Sequence, residues 1–231
     1  MTKNIKTLIR RAAGVFCLGG MMLSAGLFTS CTEKDNTVEE FADWQSKNKT
    51  YWNKLYTATQ QKIKSGDTSW KIILNYSYQN QKQTSGSALT YSPEDYIIAH
   101  VEQAGAGTTS PLYSDSVSMH YMGRLIPSTT YTSGLIFDKS WSNDTFNATT
   151  SRPAHSYLGL TYNAEGKSVS LVDGFTTALM SMHRGDHWTV YIPHQLGYGT
   201  SASGTVPAYS TLIFDLRLVD FSHPGTKLKD S

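Results

Sequence analysis

The chain has 231 residues, of which 16% are charged and 12% aromatic, with fourteen tyrosines and a formal net charge of +2. That length allows one large or two small domains. The charge balance is too even for a protein that grips a phosphate backbone, so no nucleic-acid partner is expected, and the tyrosine content suits a β-rich domain with amphipathic pockets.

Residues 1–30 read as an export signal. Lys3, Lys6, Arg10 and Arg11 form a positive head, an apolar or small stretch runs from Ala12 to Phe28, and Phe28-Thr29-Ser30-Cys31 closes it. This is the layout of a secretory signal. The small residues before Cys31 are similar to a bacterial lipobox, with Phe28 where leucine is commoner, and they imply a diacylglycerol on the Cys31 thiol. An uncleaved anchor helix is the other reading, although the stretch is short for a span. Either places the rest of the chain outside the inner membrane, and lipidation would hold it in the bacterial envelope at the outer membrane. Removing the signal takes four cations and no acids, which leaves sixteen cations against eighteen acids, a charge of −2. Cys17 lies within the signal, so a lipidated mature chain has no internal disulfide.

Residues 31–92 are expected to form a tether and an N-terminal extension. From Val38 to Ile63 the apolar residues Val38, Phe41, Trp44, Tyr51, Trp52, Leu55, Tyr56 and Ile63 fall mostly three or four apart, which predicts a helix; Ser65-Gly66-Asp67 ends it. The helix is expected to pack on its own domain, with a homodimerisation arm as the alternative. Trp70–Tyr78 reads as a strand, as do Tyr96–Val101 and Val117–Leu125. Thr176–Met182 gives a short helix with Phe175, Leu179 and Met182 on one side. Trp188, Val190 and Ile192 alternate with Thr189 and Tyr191, and Leu212–Phe221 alternates likewise, the period of half-buried strands. Residues 93–222 thus form one α+β domain, an antiparallel sheet with a helix against one face, and 223–231 are a tail. His183 and His187 stand four apart, but Gly185-Asp186 between them marks a turn, so no metal site is expected. There is no serine–histidine pair in a nucleophile setting and no phosphate loop.

Several short motifs then appear in a fixed order: VSMHYMGRL at 117–125, FDKS at 137–140, Leu158-Gly159, LVDGF at 171–175, MHRGD at 182–186, Ile192-Pro193, LGYG at 196–199, Val206-Pro207 and LIF at 212–214. Together, over about Asp95–Phe221, they resemble the FKBP-type peptidyl-prolyl isomerases. The resemblance implies a twisted antiparallel sheet of about five strands around one short helix, and an aromatic cavity between them. The lining it implies is Tyr121, Phe137, Asp138, Val172, Phe175, Tyr198 and Phe214 for catalysis, with Leu171 and Val206 holding substrate. Phe175 would floor the proline ring, and the Val172 N–H and Tyr198 hydroxyl would hold substrate carbonyls. Asp138 would orient neighbours such as Tyr121. No cofactor is implied, and the partners are proline-containing polypeptides. The chain departs from the pattern at Ala154, where an aromatic is common, and carries extra residues at 126–134, 141–151 and 160–168. Those departures leave open a weak or inactive binding module, and assembly through the N-terminal helix leaves open a structural envelope lipoprotein.

Overall fold

The computed structural model describes residues 39–79, 81 and 89–228. The signal and Cys31 lie outside them. All described residues fall within one compact unit, Val38–Ser231. In chain order the helices are α1 (Trp44–Lys64) and α2 (Asp173–Ser181). The strands are β1 (Trp70–Leu74), β2 (Tyr96–Gln103), β3 (Ser116–Leu125), β4 (Ile136–Lys139), β5 (Ala154–Tyr157), β6 (Thr161–Tyr162), β7 (Ser168–Val169), β8 (His187–Ile192) and β9 (Leu212–Ser222). No helix among the described residues is long and apolar enough to cross a membrane.

The fold is α+β. One antiparallel sheet runs β1-β2-β8-β9-β3-β4, and β5 pairs with β3. It has seven strands where about five were expected. β1 from the extension joins it, opposite β2 from Trp70↔His100 to Leu74↔Tyr96. β4 and β5 divide one edge of β3 between them: β5 takes residues 116–119 and β4 takes 122–124. Tyr121 sits in the gap. Its N–H donates to Ser140 Oγ at 3.0 Å and its carbonyl accepts from the Ser140 N–H at 2.9 Å. β6 and β7 form a separate two-stranded ribbon.

The core lies between the sheet and α2. Trp188, Val190 and Ile192 alternate inward along β8, and Leu212, Phe214, Leu216 and Leu218 do so along β9. α2 begins three residues earlier than its apolar spacing predicts. Val172 supplies the extended cap residue (φ −64°, ψ 145°), and Asp173 places a carboxylate in the first turn, where the helix dipole favours it. Gly174 lies inside α2, where a Cβ would run into the Ile192 side chain of β8, which favours glycine there. β1 stops at Leu74, four residues short of expectation, since the Asn75 carbonyl accepts from the Tyr78 N–H and turns the chain.

α1 docks on the same chain through polar contacts set among aromatics. Trp44 Nε1 donates to Ser210 Oγ at 2.8 Å. Buried Asn48 donates to the Trp44 carbonyl at 2.8 Å and accepts the Thr211 N–H at 2.7 Å. Trp52 Nε1 donates to the Pro93 carbonyl at 3.3 Å. Just before the helix, the Glu40 carboxylate accepts the Ser128 hydroxyl, and also the Thr130 N–H at 3.0 Å.

Candidate active site

A cleft of about 260 Å³ opens where β3, β4, β5 and the start of α2 converge. Its lining joins Tyr121, Phe137, Asp138, Leu171, Val172, Phe175, Tyr198 and Phe214, which are scattered over 94 positions of sequence, with Met119, Ala154, His155, Ser156 and Ser170. Val206 does not line it. That side chain is buried in the core, held in a tight turn by reciprocal 2.9 Å bonds between the Ser203 and Val206 backbones. The cleft lies just below the ~300–1,000 Å³ usual for drug-sized ligands, a size for one or two residues of a peptide.

Four rings form its walls. Phe175 and Phe214 meet edge to face with centroids 4.8 Å apart, Phe137 meets Phe214 at 5.6 Å and 90°, and Tyr121 meets Phe175 at 5.8 Å and 82°. Such T-shaped contacts fix ring orientation beyond what burial alone achieves. Gly123 makes the arrangement possible. A Cβ on it would lie 2.5 Å from Phe137 Cζ and 2.7 Å from Phe214 Cε1, so only glycine lets both rings close over β3.

Polar groups stand at the rim. The Tyr121 hydroxyl donates to Asp138 Oδ2 at 2.8 Å. Burial and this carboxylate push the Tyr121 phenol up to about 12. Burial, then the charge of Asp138, raises Tyr198 as well. Both hydroxyls therefore stay protonated at neutral pH and can donate. Val172 lines the cavity as the cap of α2, and the first amides of a helix have no intrahelical acceptor and carry the positive end of its dipole. The site thus offers an apolar basin with the Tyr198 phenol and Val172, at the head of α2, on its lining.

Met119, His155, Ser156 and Ser170 were not read from the sequence. Met119 had a signal: it precedes Tyr121 by two on β3, and residues two apart share a strand face. The other three lie on short, polar segments without periodicity. His183 and His187 face different acids, Asp186 at 3.7 Å and Asp215 at 2.9 Å. Among the described residues no group of three metal-binding side chains gathers. The insertion at 141–151 leaves the cavity open. Its Phe146 packs edge-on against Trp141 and His120, and the Arg217 guanidinium lies 4.4 Å from its centroid.

A domain with this sheet, this helix and a ring-walled basin between them is of the FKBP class, and the family model for FKBP-type peptidyl-prolyl cis-trans isomerases matches residues 107–219. This domain belongs to that family. The chain is 33% identical over 149 residues to the macrophage infectivity potentiator of Trypanosoma cruzi, covering 64% of this chain and 63% of that protein. It is 33% identical over 120 residues to the peptidyl-prolyl cis-trans isomerase Mip of Coxiella burnetii, covering 52% and 42%. The chain spans less than two thirds of the length of either relative. Among solved structures, a peptidyl-prolyl cis-trans isomerase from Pseudomonas syringae pv. tomato aligns over 81% of this chain and 99% of its own, at 19% identity and a TM-score of 0.48.

Proposed function

We propose that this chain is a peptidyl-prolyl cis-trans isomerase that acts on exported proteins. The observation that carries the reading is the junction of Tyr121, Phe137, Phe175 and Phe214 in one open cleft with Asp138, Val172 and Tyr198 at its rim.

The chemistry needs no nucleophile. Rotation about a prolyl amide costs ~18–20 kcal/mol because it breaks resonance, and the uncatalysed step takes roughly tens to hundreds of seconds. The planar amide is more polar across C–N than the twisted one. A basin walled by four rings replaces water around the bond and favours the less polar, half-rotated form. Phe175 floors the proline ring. The Val172 N–H and the Tyr198 hydroxyl hold the flanking carbonyls in the twisted geometry, so their bonds strengthen toward the transition state. Asp138 fixes the Tyr121 ring that walls the basin. Bringing tens of seconds to milliseconds takes about 10⁴-fold, roughly 5.5 kcal/mol, which shape fit and two hydrogen bonds can supply.

The substrates are proline-containing polypeptides, and the order of positive head, apolar run and Cys31 supports export and lipid anchoring in the bacterial envelope. A homodimer through α1 would use the helix face that carries Lys47 and Lys54, because Trp44, Asn48 and Trp52 are buried in their own chain. Ala154 and Ser156 favour a second reading, since small side chains widen one wall: a module that binds prolyl segments without turning them over. Protease-coupled turnover of an X-Pro tetrapeptide by the full chain separates the two. Isomerase action gives a saturable acceleration that Tyr198→Phe lowers; binding without acceleration supports the second reading.

A further inference from the structure

We propose that the β6–β7 ribbon extends the cavity into a docking strip for apolar residues flanking a proline in an unfolded polypeptide. The inference rests on the isomerase reading and names its substrate class: long, non-native chains rather than short peptides.

The ribbon springs from the cavity wall at both ends, since Ser156 precedes it, Ser170 follows it, and both line the cleft. Between them stand Tyr157, Leu160, Tyr162 and Val169, at 40%, 50%, 66% and 44% exposure. The charged residues of the segment, Glu165 and Lys167, lie at the turn, which Asn163 closes by bonds with Gly166 and Lys167. A lone two-stranded ribbon cannot bury such side chains itself. Its register aims Tyr162 alone, since Val169, opposite Thr161, takes the other face. Tyr162 lies opposite Ser168, opposed residues share a face, and Ser168 shares its face with Ser170 two residues on. Tyr162 therefore stands on the side that continues into the cavity.

The strip widens at its base. The Tyr157 ring and the Tyr113 carbonyl both close on Gly159, and the Tyr113 ring, 41% exposed, stacks on Tyr76 at 5.2 Å. Large apolar side chains grouped this way on a surface mark an interaction site. Continuity with the cleft decides the occupant. A chain lying along the strip runs into a basin built for a prolyl amide. A tetrapeptide, about 13 Å when extended, is used up in crossing the basin and leaves the ribbon empty.

The test compares the full chain with its Leu160→Ser/Tyr162→Ser variant on two substrates. One is an X-Pro tetrapeptide. The other is a protein whose refolding is limited by prolyl isomerisation. The variant is expected to lose about tenfold in kcat/KM on the refolding protein, ~1.4 kcal/mol of binding, and less than about twofold on the tetrapeptide. Equal effects on both substrates, including none on either, overturn the inference. Tyr162→Ser alone is expected to give the same split at about threefold, which covers misfolding of the double variant. If the unmodified chain accelerates neither substrate, the isomerase reading fails and the strip is judged by binding alone. Fluorescence anisotropy with a labelled, reduced and carboxymethylated polypeptide then gives about tenfold weaker binding for the variant, or equal binding, which overturns it.

Discussion

Tyr121 and Asp138 meet across β3 and β4, with the phenol donating to Asp138 Oδ2 at 2.8 Å, and this bond ties the wall of the cavity to its rim. Tyr121 is held on both sides of its backbone by Ser140. The hydroxyl bond fixes the remaining freedom, the turn of the ring. Tyr121→Phe and Asp138→Ala are each expected to lower kcat/KM on an X-Pro peptide several-fold and to change stability by about 1 kcal/mol, the contribution of one such bond. The double variant is expected to cost no more than the larger single change, because both remove one interaction. Additive losses would mean that Asp138 acts on substrate independently.

The same bond sets a pH window. Burial and Asp138 raise Tyr121 from its ordinary 10.0 to about 12. A raised pKa means that the folded chain holds the proton more tightly, so this contribution is complete below pH 10 and is lost as pH climbs toward about 12. Turnover is expected to stay flat between pH 8 and 10. Absorbance titration of phenolate is expected to show several late-titrating tyrosines, since burial also raises Tyr51, Tyr76 and Tyr198, and one fewer of them in Tyr121→Phe.

Gly123→Ala tests the close approach over β3. The new methyl would meet Phe137 and Phe214 at 2.5 and 2.7 Å, and overpacking of this kind costs ~1–3 kcal/mol. Chemical denaturation is expected to show that loss, together with a fall in turnover as the rings shift. Unchanged stability would show that the rings have room to part.

Much of the site was legible because its residues sit in short motifs whose order survives in the chain. Tyr121, Phe137, Asp138, Leu171, Val172, Phe175, Tyr198 and Phe214 could be placed from them, and the alternation of β8 and β9 marked the core face. What stayed hidden lacks a local period. β5 is four residues with two polar side chains, and β6 and β7 are two residues each. The Asn48–Thr211 and Glu40–Ser128 contacts join positions 163 and 88 apart, so no spacing announces them. Val206 has the right residue type and motif, but its turn with Ser203 sends it into the core.

The Glu40 contact makes an acid-side prediction. Bonds from Ser128 and Thr130 hold its carboxyl at about 2, against an ordinary 4.5. A depressed pKa adds stability above 4.5 that is lost as pH falls toward 2. Glu40→Gln is expected to flatten the pH dependence of the melting temperature in that window, while a slope identical to the unmodified chain would show that the contact does not form in solution.

The central claim is that a basin of rings lowers the barrier to prolyl rotation. Exchange spectroscopy on an X-Pro peptide, with catalytic amounts of the full chain, measures that rotation without a coupling protease. The account expects acceleration approaching 10⁴-fold, reduced about tenfold in Phe175→Leu, which keeps most of the apolar volume and loses the flat floor. Exchange at the uncatalysed rate, or an undiminished rate in the leucine variant, would contradict it.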